Sequence, residues 1–107
     1  MGSNMKIISP VYLGQHSYPK YDEMIASLKK NLEENNVLKI DLEFLHGNEV
    51  QSYLQDILLP TYTKYKTQVY LQTRSKERMK KVIRTLKENI WTCSPVESEE
   101  GFFTIEL

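Results

Sequence analysis

Residues 68–90 constrain the fold most. Gln68 to Thr73 alternates apolar and polar positions, with Val69 and Leu71 on one side and Gln68, Tyr70 and Gln72 on the other. Such a period of two describes a strand with one face buried. After Ser75, a good helix N-cap, the period changes. Met79, Val82, Ile83, Leu86 and Ile90 recur at helical spacing, with Lys76, Lys80, Arg84 and Lys87 on the opposite side. A strand that runs straight into an amphipathic helix is half of a strand-helix-strand unit.

Two similar units precede it. Lys6 to Leu13 is rich in Ile, Val and Tyr and reads as a strand, with Pro10 suited to an edge or bulge. Past a loop at 14–18, Tyr21, Met24, Ile25, Leu28 and Leu32 line one face of a helix. That helix opens at Pro19, has Asp22 and Glu23 near its positive end, and stops at Asn35-Asn36. Val37 to Leu45 then alternates, placing Leu38, Ile40, Leu42 and Phe44 inward and Lys39, Asp41 and Glu43 outward. Gly47 breaks this strand, and Asn48 with Gln51 fits a capping box for a short helix carrying Val50, Leu54, Ile57 and Leu58, which Pro60 should end. The stretch 61–67 fits either a loop or an early start of the next strand. The tail offers a turn at 98–101 and FFTIEL, a closing hairpin or a last edge strand.

One polar face on each alternating strand argues for two layers, because a sheet covered on both sides has strands that are apolar throughout. The expected fold is therefore α+β, a two-layer sandwich with one mixed sheet of four or five strands and three helices on one face. The order is β-α-β-α-β-α-β, ferredoxin-like or related. At 107 residues this is a single domain over 5–107, and residues 1–4 (MGSN) read as a disordered N-terminus or a cloning remnant. The first residues lack the pattern of a signal peptide, no apolar run approaches a membrane span, and the lone Cys93 forms no internal disulfide. A cytoplasmic location fits these features.

Charge is the second constraint. The net charge is zero, yet Lys64 to Lys87 holds nine basic residues against one acid, Glu77, so +8 in this segment balances −8 elsewhere. A split of this size makes an electrostatic face. Three functions can use it. The first is a non-enzymatic binding or regulatory module that meets a protein partner with an acidic surface, through the basic helix face or the open sheet face (Lys39, Asp41, Glu43, Gln68, Tyr70, Gln72). The second is nucleic-acid binding by Lys64, Lys66, Lys76, Lys80, Arg84 and Lys87, with Tyr62, Tyr65 and Tyr70 stacking on bases. VYLG at 11–14 and KYKTQVYL at 64–71 do not complete an RNA-recognition motif: the second stretch lacks the small residues, and a helix separates strands that the motif joins as a hairpin.

The third is an anion-binding or catalytic rim. If the strands are parallel, His16-Ser17, His46 with Asn48, and Arg74-Ser75 all lie where a strand passes into a helix, and they gather at one edge of the sheet. No glycine-rich phosphate loop accompanies them. No catalytic residue is assigned: Cys93 follows a helix C-terminus near Glu97, Glu99 and Glu100, a poor setting for a thiolate. His16, His46 and Cys93 lack the short spacing of metal ligands, so neither metal nor cofactor is expected. Phe102 to Leu107 is apolar on both parities near its start, which suits burial or pairing with a second copy of the chain in a homodimer.

Overall fold

The computed structural model describes residues 5–11, 18–91, 96–97 and 101–107, without the side chains of 18–20, 96 and 97. His16, Ser17, Cys93, most of the loop at 14–18 and the turn at 98–100 lie outside the described residues. One sheet contains five strands in the order β1-β2-β3-β5-β4: β1 (Met5–Ile8), β2 (Val37–Asp41), β3 (Gln68–Thr73), β4 (Val96–Glu97) and β5 (Phe103–Glu106). β1, β2 and β3 are parallel neighbours; β5 runs antiparallel to both β3 and β4. Helices α1 (Tyr18–Glu34), α2 (47–62) and α3 (Lys76–Glu88) connect the first four strands in turn. This is the expected α+β sandwich, with its sheet built as three consecutive parallel strands extended by a hairpin rather than as a split strand-helix-strand pair. Gly101, at φ +80°, takes the left-handed conformation that the hairpin needs just before β5.

Register divides the sheet into two faces. Ile8, Ile40, Leu71 and Ile105 stand in one row across four strands. With Leu38 and Val69 they pack against Leu28 and Leu32 of α1, Val50 to Leu59 of α2, and Met79, Val82 and Leu86 of α3, forming one core. All three helices thus cover the same face. The next row, Ile7, Lys39, Tyr70 and Glu106, lies on the other face.

The C-terminus of α1 is closed by side chains. Asn31 and Asn35 donate back to Ser27 O and Asn31 O, each at 2.9 Å. The buried Thr67 hydroxyl shares its proton between Leu32 O at 2.6 Å and Asn35 O at 3.1 Å, so the segment before β3 caps the helix and meets the demand of its last carbonyls.

Five local expectations change. β1 ends at Ile8, before Pro10, rather than continuing to Leu13. β2 ends at Asp41, whose carboxylate accepts from Glu43 N–H at 3.1 Å, and a turn from Leu42 O to Leu45 N–H follows. Leu42 and Leu45 are therefore buried while Phe44 points outward, 61% exposed. The second helix starts earlier than Asn48, at Gly47; His46 precedes it and its N–H donates to Glu49 Oε1 at 2.9 Å, so Glu49 takes the place expected of Gln51.

Pro60 does not end α2. The helix widens into a π-turn over Tyr53–Leu58, where Leu59 N–H reaches Leu54 O, five residues back. Pro60 then stands in the first turn of the closing segment Leu59–Tyr62, where a missing N–H costs least. Finally, Ile90 lies outside the core: α3 stops at Glu88 in a Schellman motif, with Trp91 N–H on Leu86 O at 2.8 Å and Ile90 N–H on Lys87 O at 3.0 Å. Ile90 holds φ at 58° and is 94% exposed.

Candidate functional site

Helix α3 presents the basic row. The Ser75 hydroxyl accepts from Arg78 N–H at 3.1 Å, which sets the start of the helix. Met79, Val82, Thr85 and Leu86 are buried against the sheet, so Lys76, Lys80, Arg84 and Lys87 are turned to solvent. Ile83 is half-buried at the margin of the core. Only Lys80 in this row meets an acid among the described residues, Glu77 at 3.9 Å, and both side chains are so exposed that the pair contributes little. Lys76 stands at the positive end of the helix, where a cation is disfavoured. Among the described residues Lys76 has no acidic partner.

The other two arginines of the segment have structural work. Arg78 Nη1 meets Glu43 Oε2 at 3.2 Å and Thr73 Oγ1 at 3.0 Å, while its Nε donates to Leu45 O at 3.0 Å. Glu43 Oε1 also accepts from Arg74 N–H and, at 3.4 Å, from the buried Thr73 hydroxyl. One carboxylate thus ties the turn after β2 to the end of β3 and the first turn of α3. Glu43 was expected on the open face of the sheet, but because β2 ends at Asp41 the chain carries it to the rim instead. The Arg74 guanidinium lies 4.6 Å from the centre of the Phe102 ring.

The parallel strands do bring the described loops after β2 and β3 to one rim, as expected, so His46, Asn48, Arg74 and Ser75 share an edge of the molecule. His46 and Asn48 are exposed. The Glu43 and Glu49 carboxylates, however, already occupy donors at that rim.

The tyrosines are dispersed. Tyr62 is half-buried, donates to Leu107 O at 3.3 Å, and packs on Trp91 with ring centres 5.8 Å apart. Tyr65 is hydrogen-bonded to Glu33, and partial burial together with that carboxylate raises the hydroxyl's pKa above its ordinary value. Tyr70 sits on the open face between Lys39 and Glu106. Since Val69 and Leu71 face the helices, Tyr70 and the outer row of α3 lie on opposite surfaces of the two-layer molecule. Lys64 and Lys66 are exposed in the segment leading into β3.

On the open face, Gln68 Nε2 donates to Glu106 Oε2 at 2.7 Å, and Met5 and Ile7 on the edge strand β1 are 56% and 53% exposed. β5 lies between β3, with which Phe103–Glu106 pairs throughout, and β4, which pairs with Phe103 and Thr104 alone, so the start of β5 is not the open sheet edge that the sequence allowed for.

No group of three His, Cys, Asp or Glu side chains suited to a metal occurs among the described residues, and no described helix is long and apolar enough to cross a membrane. Comparison with protein-family models, curated proteins and solved structures returns no match. Any functional reading therefore rests on the geometry of this chain. Sequence reasoning missed the Glu43–Arg78 clamp, whose partners stand 35 positions apart with no local pattern to link them.

Proposed function

We propose that this chain is a small binding or regulatory module without chemistry of its own, acting through protein contacts, and that the row Lys76, Lys80, Arg84 and Lys87 meets an acidic surface on its partner. The observation that carries the reading is the division of labour in the basic segment. Arg74 and Arg78 are engaged by Phe102 and Glu43, whereas the four residues of the row stand exposed with no strong ion pair among the described residues. Lys76 occupies an unfavourable position for a helix, which suits a residue kept for an intermolecular contact.

Nucleic-acid binding is the second reading, favoured by Lys64 and Lys66, which add exposed charge to the same segment. It is the weaker of the two. Single-strand recognition combines phosphate contacts with stacking platforms on one surface, and here Tyr62 and Tyr65 have intramolecular partners while Tyr70 faces the other way.

The test is affinity capture from source cells with the wild-type chain and with a variant in which Lys76, Lys80, Arg84 and Lys87 are all Gln, each with and without nuclease. The reading expects a protein retained by the wild type after nuclease treatment and lost with the variant. Retention that nuclease abolishes would replace it with the nucleic-acid reading.

A further inference from the structure

Between the end of β1 and helix α1 lies a cavity of about 270 Å³ whose apolar wall includes Ile8, Pro10, Met24 and Leu28 and which also reaches Tyr53 of α2. Glu23 and Ser27, one turn apart on α1 and both exposed, stand at its mouth. Tyr53 is the unusual member. It is 2% exposed, and among the described residues its hydroxyl has no hydrogen-bond partner.

Buried polar groups are nearly always paired, and each exception calls for a reason. Phenylalanine would fill the same space without leaving a polar atom unsatisfied. Burial also keeps the hydroxyl protonated, as a neutral group able to donate. The backbone departs from regular geometry at the same point: the π-turn of α2 begins at Tyr53. Such turns re-aim the side chains they carry and recur at functional sites.

We infer that this cavity binds a small, mainly apolar molecule through a hydrogen-bond acceptor that pairs with the Tyr53 hydroxyl. The space holds a single ring with a short substituent, since a dry cavity of roughly 150 Å³ already holds benzene. Charge narrows the class of ligand. Among the described lining residues Glu23 is the one with a formal charge, which favours a neutral carbonyl compound over a carboxylate.

The experiment is amide NMR titration of the isotope-labelled full chain with benzamide and with phenylacetate, repeated on Tyr53→Phe, with thermal melting of both proteins. Benzamide at millimolar concentration should shift the amides of Ile8, Met24, Leu28 and Tyr53, and phenylacetate should act more weakly. Tyr53→Phe should melt no lower than the wild type and bind benzamide about 5-fold more weakly, the loss of one hydrogen bond. No shift from benzamide, shifts confined to other residues, equal affinity in Tyr53→Phe, or a marked fall in its melting temperature would each overturn the assignment. The last would show that the hydroxyl already has a partner.

Discussion

Replacing Ile90 by Gly should stabilise the protein, although it removes a large apolar side chain. Ile90 occupies the position just past the end of α3 with φ at 58°, and it is β-branched. An L-residue in the left-handed region costs about 1–2 kcal/mol, and a branched Cβ places Ile toward the upper end of that range. The side chain returns almost nothing, because at 94% exposure it buries little surface. Against the relief stands the larger conformational freedom of glycine in the unfolded chain, about 0.5–1 kcal/mol. The net gain is about 0.5–1.5 kcal/mol, or roughly 2–7 °C in melting temperature for a domain of this size. Urea denaturation of the wild type, Ile90→Gly and Ile90→Ala measures it. Ala keeps a Cβ and should recover only a small part of the gain. A Gly variant no more stable than the wild type would show that Ile90 is not strained, or that its side chain makes contacts in solution that outweigh the strain.

Other perturbations separate the clamp, the core and the basic row. Glu43→Ala removes the shared acceptor of Arg74 N–H, Thr73 and Arg78; as the ion-paired side chains keep 27% and 20% exposure, solvent screens part of the loss and the expected cost is about 1–2 kcal/mol by urea denaturation. Unchanged stability would mean that the clamp does not hold the rim. Leu86→Ala, at a position with no exposure, should cost about 2–5 kcal/mol, and a smaller loss would place the core face of α3 elsewhere. Changing Lys76, Lys80, Arg84 and Lys87 together to Gln should alter stability by no more than about 0.5 kcal/mol, as measured by thermal melting; a larger drop would make the row structural.

Much of the fold is legible from residue periodicity. The alternation at 68–73 and the helical spacing at 76–86 are set by burial on one face, which neighbouring residues record directly, and β3 and α3 lie where these patterns end. The departures arise where a short-range rule meets a distant constraint. Phe44 continues the alternation of β2 in sequence, but the Asp41 carboxylate turns the chain before it. Pro60 reads as a helix stop, yet the π-turn just before it lets the helix pass. Ile90 fits the helical stripe of α3, although the Schellman motif has already closed the helix.

The candidate surface divides in the same way. Exposure of Lys76, Lys80, Arg84 and Lys87 follows from helical spacing alone. The engagement of Arg78 by Glu43, and the placement of Tyr70 on the layer opposite those lysines, depend on how three strands align, and no single stretch encodes that.

The most direct test of the basic row as a protein contact, rather than a nucleic-acid one, is fluorescence anisotropy of labelled single-stranded and duplex oligonucleotides with the purified chain at low salt and at about 0.15 M salt. The account predicts no micromolar binding at the higher salt, and no more than weak, sequence-independent association at the lower. Micromolar or tighter binding at the higher salt that disappears in the four-Gln variant would contradict it and make nucleic acid the partner of this face.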